Sequence, residues 1–226
     1  MSVRTPKYFD IHTHQNENGV NCITIINSSD AYSEMKDGRF YSAGIHPWFI
    51  NELKFEMQQQ ELSIAASRTN VWAIGECGLD KLCEAKWEIQ LVAFRFQIQL
   101  ANKLVKPLII HAVRSHEEIL ALLKSELIKV PFVFHGFNKG NALAQKILKA
   151  GGYLSFGKAL SGKNMAGLFS EIPVEKVFLE TDDSGCNIEQ VYEWAAKAKD
   201  ISVEKLQQQM LLNAEKLFQQ MKFNYE

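Results

Sequence analysis

Short runs of apolar and β-branched residues recur along this chain, and longer segments of helical period alternate with them. That alternation is typical of β-α units around a parallel sheet. Strands are predicted over residues 7–13, 21–27, 40–46, 71–76, 105–111, 131–135, 152–156 and 176–182. Helices, with apolar residues at three- and four-residue spacing, are predicted over 51–68, 86–103, 115–127, 141–150, 188–199 and 202–221. We therefore predict an α/β barrel that carries an extra C-terminal helix.

Two of the predicted β-α units are short. About seven residues separate the first two strands, so we expect a helix to be missing after the first strand. Residues 28–38 have room for about two helical turns. Because no repeat, low-complexity tract or Pro/Ser-rich linker interrupts the chain, residues 1–226 are predicted to form a single domain.

Composition limits the function classes. A chain of 226 residues with 46% hydrophobic content can bury a large core. The net charge of −1 argues against broad electrostatic wrapping of nucleic acid and leaves room only for a local phosphate contact. The first residues lack the apolar core of a signal peptide, and no apolar run reaches the roughly 18 residues of a membrane helix. We therefore expect a cytoplasmic protein without a membrane partner, with its four cysteines reduced.

Two histidines stand close together at the end of the first predicted strand. The period of two in a strand points His12 and His14 to the same face, inward toward the barrel axis. Two imidazoles on one face can hold a divalent ion. Asp10 shares that face and could orient one of the rings. The alternative is two ordinary histidines at a polar strand end.

Further metal-binding side chains stand at the ends of other predicted strands. Glu76 lies between two glycines, where a ligand or backbone can approach closely and where a carboxylate could bridge two metals. His111 and His135 each end an apolar strand, and each by itself is about as often a core histidine as a ligand. Asp182 also ends an apolar strand, where a buried carboxylate without a cation would be costly. Because the C-terminal ends of barrel strands meet at one rim, we predict that these side chains share metal ions.

The motifs that contain these residues resemble, in order along nearly the whole chain, those of the TatD family of metal-dependent deoxyribonucleases. The matching segments are Phe9-Asp10-Ile11-His12-Thr13-His14, Gly44-Ile45-His46-Pro47, Gly75-Glu76-Cys77-Gly78-Leu79-Asp80, Pro107-Leu108-Ile109-Ile110-His111, His135-Gly136-Phe137, Ser155-Phe156-Gly157 and Leu179-Glu180-Thr181-Asp182. The resemblance implies an amidohydrolase-like TIM barrel, here a short, divergent member, and a two-metal hydrolase.

Carried over position by position, the resemblance implies six ligands for two divalent ions: His12, His14, Glu76, His111, His135 and Asp182. The first pair of histidines would serve one ion and the second pair the other, with the glutamate as the bridge. Asp182 would also handle the proton of the attacking water, which makes Asp182 and Glu76 the predicted catalytic residues. Zinc, manganese, iron and, more weakly, magnesium all suit such a mixed site.

Other residues are candidates for contact with substrate. His46 ends the third predicted strand without an obvious metal partner, so it either supports the ligands, faces substrate or packs in the core. Arg114 follows His111 closely enough to reach a phosphate. Trp48 or Phe137 could stack on a base. Compared with the family pattern, the helix after the first strand is missing and the loop after Asp182 is short, and both changes concern substrate identity more than metal binding.

The leading hypothesis is hydrolysis of phosphodiester bonds, with DNA trimmed from an end. A hydrolase of a small phosphoester, amide or lactone is an alternative, favoured by the trimmed rim and the near-neutral charge. A metal-binding barrel without turnover is a third hypothesis, from a different class. The sequence leaves the oligomeric state open.

Overall fold

The structure is a computed structural model that describes residues 6–15, 21–29 and 32–218. Its strands β1 to β8 are Tyr8–Thr13, Cys22–Asn27, Phe40–Ala43, Val71–Asp80, Leu108–Val113, Phe132–Phe134, Tyr153–Phe156 and Val177–Leu179. Its helices α1 to α7 are Phe55–Ala66, Trp87–Leu104, His116–Ser125, Asn141–Lys149, Lys163–Glu171, Ile188–Lys199 and Val203–Leu217. Short 3-10 helices are Tyr32–Glu34, Pro47–Phe49, Glu52–Lys54, Lys158–Ser161 and Val174–Lys176.

The eight strands belong to one sheet and follow one another in chain order. The pairs β3–β4, β4–β5, β5–β6 and β7–β8 are parallel. Thr13, at the end of β1, pairs in parallel with Asp182, just beyond β8, so the sheet returns to its first strand. A parallel sheet of eight strands that closes in this way is a (β/α)8 barrel, and the predicted fold class is confirmed.

By their internal contacts, the residues fall into two compact units. The terminal unit comprises Met1–Ile25 and Gly136–Glu226, and the central unit comprises Ile26–His135. Each has a buried apolar interior. The prediction that residues 1–226 form a single domain stays a prediction.

In the terminal unit, buried aromatic rings pack around β1 and β8. Phe9 lies 6.1 Å from Phe178 and 5.9 Å from Phe218, measured between ring centroids. The hydroxyl of Tyr192 accepts the N–H of Phe9 and donates to its carbonyl, both at 3.0 Å. Burial of each such ring contributes on the order of 1.5–3 kcal/mol, and the tyrosine hydroxyl joins α6 to the backbone of β1.

In the central unit, glycines let β4 lie unusually close to its neighbours. A Cβ added to Gly78 would lie 2.0 Å from the carbonyl oxygen of His111, and one added to Gly75 would lie 2.6 Å from that of Ile109. Both glycines have positive φ, 147° and 155°. Any larger residue would therefore push β4 away from β5.

Strand ends differ from the predictions in a way that concerns the candidate site. We predicted that each polar candidate closes its strand, but β4 continues to Asp80 and β5 to Val113, so Glu76 and His111 lie inside strands. The reason is that the pairing continues past them through Gly78↔His111 and Asp80↔Val113. By contrast, β3 and β8 end three residues earlier than predicted and β6 one residue earlier, and their polar candidates lie in the segments that follow.

The helix predictions are confirmed for α1 to α4, α6 and α7, with α6 at the predicted bounds. Asn187 and Gln190 form a reciprocal capping box that starts α6. The predicted end of the last helix, 219–221, lies outside the described residues. Most of the segment between β1 and β2, where we predicted that a helix is missing, lies outside the described residues.

Helix α5 was missed by the sequence analysis. It has apolar residues at helical spacing, Met165, Leu168 and Phe169, but it is only nine residues long and contains Gly167. A glycine inside a helix lowers its intrinsic stability by about 1 kcal/mol relative to alanine. Packing of the buried Phe169 ring against Phe156, at 5.0 Å between centroids, outweighs that weakness.

We expect Gly78→Ala to lower the free energy of unfolding by about 1–3 kcal/mol, because the new methyl group would overlap backbone of β5. Gly167→Ala is the matched control, since no heavy atom lies within 4 Å of its added Cβ and the helix gains propensity, about 0.4–1 kcal/mol. Urea denaturation of both variants measures the difference. Equal stability of the two variants would contradict the close approach of β4 and β5.

Candidate metal centre

One carboxylate oxygen of Glu76 faces three imidazole rings within the central unit. Three ring nitrogens lie near Glu76 Oε1: His46 Nε2 at 3.2 Å, His111 Nδ1 at 2.7 Å and His135 Nε2 at 2.7 Å. Glu76 is 3% exposed. Burial of a carboxylate costs several kcal/mol unless partners surround it, and these rings are such partners.

Asn27, the last residue of β2, holds Glu76 from another direction. Its Nδ2 donates to Glu76 Oε2 at 3.2 Å, and its Oδ1 accepts the backbone N–H of Glu76, also at 3.2 Å. One amide side chain thus fixes both the backbone and the carboxylate of Glu76. Ser29 in turn donates to Asn27 Oδ1 at 2.9 Å and limits rotation of the amide.

The hydrogen bonds of His46 indicate which of its nitrogens carries the proton. Its Nδ1 accepts the backbone N–H of Trp48 at 3.1 Å, so the neutral ring has its proton on Nε2 and donates it to Glu76. Burial lowers the pKa of His46, although Glu76 opposes the shift, and the ring is neutral at pH 7. His46 therefore donates to the glutamate and orients its carboxylate.

Asp80 lies on the other side of His111. Its Oδ2 is 3.3 Å from Nε2 of His111 and accepts the indole N–H of Trp48 at 2.7 Å. Burial raises the pKa of Asp80, but hydrogen bonds from Trp48, the N–H of Leu82 and His111 outweigh that effect and hold it below its usual value. Asp80 is thus a carboxylate that stays charged beside His111.

In the terminal unit, His12 and His14 face one oxygen of Asp182. Their Nε2 atoms lie 3.6 Å and 3.5 Å from Asp182 Oδ1. These separations exceed hydrogen-bond lengths. They are close to the roughly 3.3 Å between two donors of one tetrahedral ion whose bonds are about 2.0–2.1 Å. The three side chains are therefore spaced as ligands of a shared cation would be.

Backbone hydrogen bonds hold this group in place. The N–H of Asp182 donates to the carbonyl of His12 at 3.0 Å, and the N–H of His14 donates to the carbonyl of Asp182 at 3.2 Å. Asp182 has a left-handed φ of 51°, which aspartate tolerates better than most residues. The pairing of β1 with the segment after β8 thus sets the direction of the carboxylate.

Asp10 is buried on β1 and joins the same two segments. It accepts the hydroxyl of Thr181 at 2.6 Å and the backbone N–H groups of Thr181 and His12, both at 3.2 Å. Burial raises the pKa of Asp10 from 3.8 to about 7, although these hydrogen bonds lower it. We predicted that Asp10 orients an imidazole; these bonds orient the backbone that carries His12.

The donor chemistry of both groups fits divalent metal ions. Imidazole nitrogens and carboxylate oxygens are the donors that zinc, manganese and iron take in proteins. Ligand atoms of His46, Glu76 and His111 lie within 4.8 Å of one another. That His111, His135 and Glu76 ligate one ion stays a prediction.

Three polar residues, one amide and two carboxylates, were not predicted from the sequence as site residues. Asn27 ends an apolar strand as the predicted ligands do, and that position was the available signal. Asp80 was part of a matching motif but was given no role. Glu180 is a third: it is 1% exposed and accepts the N–H of Gly136 at 2.7 Å and the hydroxyl of Ser155.

The candidate substrate residues differ in exposure. Trp48 is 62% exposed, whereas Phe137 is 2% exposed and packs against Phe156 at 5.8 Å between centroids. The prediction that Phe137 could stack on a base is therefore wrong. Arg114 is exposed directly after β5, with a left-handed φ of 53°, so its guanidinium reaches solvent.

Each unit also has an open cavity. In the central unit, a cavity of about 410 Å³ is lined by Asp80, Lys81 and Trp87 among others. In the terminal unit, a cavity of about 240 Å³ is lined by Asp10 and Thr181 among others. Small-molecule pockets in proteins measure about 300–1,000 Å³, so the first cavity is large enough for a small ligand.

Comparison with known proteins identifies the family of this chain. The family model described as TatD related DNase matches residues 13–219. The chain belongs to the TatD-related DNase family. Members similar to it include the uncharacterized metal-dependent hydrolase YcfH of Escherichia coli, 26% identical over 221 residues that cover 87% of this chain and 82% of YcfH. The resemblance seen in the motifs is thus confirmed, and this TatD-family protein is a metal-dependent hydrolase.

Two other similar proteins bear on fold and activity. The 3'-5' ssDNA/RNA exonuclease TatD of Klebsiella pneumoniae is 32% identical over 151 residues, which cover 64% of this chain and 57% of that protein. The crystal structure of YjjV, a TatD homolog from Escherichia coli, superimposes with a TM-score of 0.81 at 20% identity and covers 96% of this chain and 99% of its own. The second likeness confirms the barrel fold.

The buried carboxyl of Asp10 should make the free energy of unfolding of the metal-free protein depend on pH. Its folded pKa, about 7, lies above the ordinary value of 3.8, so between these values the folded state binds more protons than the unfolded state. The free energy of unfolding of wild type, relative to Asp10→Asn, should therefore fall as pH rises from 4 to 7, by up to about 4 kcal/mol at about 1.36 kcal/mol per pKa unit. Urea denaturation in chelator at several pH values measures it, and a difference that rises with pH would contradict it.

We expect Asn27 to increase the affinity of the protein for metal ions. Asn27→Ala removes the amide that orients Glu76, so we expect the affinity for manganese or zinc to fall by about 10–100-fold. Isothermal titration calorimetry measures the change. Asn51→Ala is the matched control, because that amide caps an exposed 3-10 helix, Glu52–Lys54. Equal affinities in the two variants would show that Asn27 does not support the ligand set.

Proposed function

We propose that this protein hydrolyses phosphodiester bonds and trims DNA from an end. The observation that carries the proposal is the buried Glu76 carboxylate with three imidazole nitrogens within 3.2 Å of one oxygen. Membership of a DNase family supports the reaction class. The printed activity of the Klebsiella pneumoniae relative, an exonuclease on single-stranded DNA and RNA, supports removal of nucleotides from an end.

Two divalent ions are part of the proposal. One would be held by Glu76, His111 and His135. The other would be held by His12, His14 and Asp182. Such ions, when bound, hold phosphoryl oxygens, lower the pKa of a water molecule and stabilise the leaving oxygen. The donor set suits zinc, manganese or iron and, more weakly, magnesium.

In this proposal Asp182 acts as the general base. Its side chain is 32% exposed, so a water molecule can reach the carboxylate. The backbone bonds to His12 and His14 hold it in one orientation. A general base must be both accessible and positioned within hydrogen-bond reach of the proton that it removes.

Other residues would hold the substrate and the ligands. His46 donates to Glu76 and keeps its carboxylate directed at His111 and His135. Arg114, exposed after β5, is proposed to contact a phosphate. With a net charge of −1, the protein has no excess of cations for long stretches of backbone, which favours contact with a few nucleotides at a strand end.

The second candidate function is hydrolysis of a small phosphoester, amide or lactone. The cavity of about 410 Å³ beside Asp80 favours it, because a small molecule would fill that volume. A panel of small phosphoesters, amides and lactones, assayed beside oligonucleotides, separates the two candidates. A third outcome, tight metal uptake without hydrolysis of any compound, would indicate a metal-binding barrel without turnover.

A cytoplasmic location is also part of the proposal. In the described ranges, the helices are all too short or too polar to cross a membrane. Cys22, Cys77, Cys83 and Cys186 are free thiols. Free thiols are the usual state of cysteine in a reducing compartment.

We expect metal-loaded wild type to shorten end-labelled single-stranded DNA stepwise in magnesium or manganese. Asp182→Asn should lower the rate by about 10²–10⁴-fold, since it removes the general base but keeps the side-chain shape. Asp183→Asn is the matched control: the same change at the exposed neighbouring residue. Product lengths on denaturing gels measure the rate and show the polarity of cleavage.

The outcomes separate the candidates. Equal rates for wild type and Asp182→Asn would mean that a contaminant cleaves the DNA. No shortening by folded, metal-replete wild type would overturn the exonuclease proposal and favour the small-molecule hydrolase. Loss of cleavage in His12→Ala with folding retained would support the second metal ion.

A further inference from the structure

Trp48 is unusual among the tryptophans of this chain. Its side chain is 62% exposed, whereas Trp72, Trp87 and Trp194 are at least partly buried. A tryptophan ring that stays exposed can offer its flat face to a ligand. The next residue, Phe49, is also exposed, at 46%.

The exposed ring is nevertheless held in one orientation. Trp48 lies in the 3-10 helix Pro47–Phe49, and its backbone N–H donates to His46. Its indole N–H donates to Asp80 Oδ2 at 2.7 Å. Asp80 is itself fixed, because its Oδ1 accepts the N–H of Leu82 at 2.7 Å and its backbone is bonded to Gln90. A ring that is already ordered loses little conformational entropy when a ligand stacks on it.

The ring also stands next to the candidate metal ligands. Its centroid is 5.1 Å from that of His46 and 6.1 Å from that of His111. Both imidazoles contact Glu76 Oε1. The oxygen that anchors the indole, Asp80 Oδ2, is also 3.3 Å from His111. The distance of 6.1 Å between the rings of Trp48 and His111 is comparable with the distance between the phosphate and the base of one nucleotide.

We propose that the exposed face of Trp48 is the stacking platform for the base of the terminal nucleotide, whose phosphate would lie beside His111, where Glu76 and His111 would hold a metal ion. This inference rests on the proposed function and names how that site holds its substrate. Every base has a π-face, so stacking binds a strand end without sequence preference. One platform beside the ligands also supplies affinity that a chain with a net charge of −1 does not obtain from cations.

The test compares two single-stranded oligonucleotides that differ only at their terminal nucleotides, which carry either bases or an abasic tetrahydrofuran analogue. Binding is measured by fluorescence anisotropy in the Asp182→Asn background, so that the strand is not consumed. Cleavage is measured in parallel with the otherwise wild-type protein. We expect the strand with terminal bases to bind at least about fivefold more tightly, the lower bound for one base-aromatic stack.

Three variants separate stacking from support of Asp80. Trp48→Leu removes the π-face, so it should bind both strands equally. Trp48→Phe keeps a π-face but loses the indole N–H, so it should retain most of the preference for the strand with bases. Leu53→Ser is the control, because Leu53 lies on the following 3-10 helix and is 97% exposed. It should behave as wild type.

The result that would overturn the platform is equal binding of both strands by the protein with Trp48 intact. Equal loss of preference in Trp48→Phe and Trp48→Leu would also overturn it, since Trp48 would then act through Asp80. Preference for terminal bases without any cleavage would support the platform and overturn the proposed hydrolysis. Cleavage without a preference for terminal bases would support the proposed hydrolysis and overturn the platform. Binding of neither strand would overturn both proposals.

Discussion

The structure of the central unit depends on how one buried oxygen, Glu76 Oε1, is surrounded. A carboxylate that is 3% exposed is stable only if its charge is met by donors. Ring nitrogens of His46, His111 and His135 surround it from three different parts of the chain, and His46 donates to it. Strands β3 to β6 must therefore keep a register in which these rings converge, and the glycines of β4 permit the close strand spacing that this register requires.

A second set of constraints acts in the terminal unit. There the direction of the Asp182 carboxylate follows from its left-handed backbone and from the pairing of Thr13 with Asp182. Asp10 reinforces that pairing from a buried position, where it binds Thr181 and the backbone of His12. Strand pairing thus places ligands, and a single buried acid joins two segments that carry them.

Support of the ligands and recognition of substrate involve different chemistry. Around Glu76 the contacts are polar, with ring nitrogens of His111 and His135 each 2.7 Å from one carboxylate oxygen. Trp48, by contrast, offers an apolar face held by one polar edge. A rigid polar group beside an exposed aromatic ring suits a substrate that is anionic at one end and planar at the other. A nucleotide has both properties.

Much of the fold could be predicted from local pattern. The alternation of strand and helix periods predicts all eight strands, because each strand shows its own apolar run. Helix α5 could not be found in the same way, since its stability comes from Phe169 packed on Phe156, a contact between separate elements. The ends of β4 and β5 could not be predicted for a related reason. Each of these strands continues only as far as the other strand supplies residues to pair with.

For the site, the sequence by itself determined which residue types could bind metal and in what order they occur, because histidine and carboxylate ligands follow recognisable apolar strands and family motifs. Only the tertiary structure decided that Asn27 and Asp80 support those ligands, that His46 presents its protonated nitrogen, and that Trp48 is exposed while Phe137 is buried. These features depend on which strand or loop lies beside each side chain. Neighbours distant in the chain set them, and local sequence does not record those neighbours.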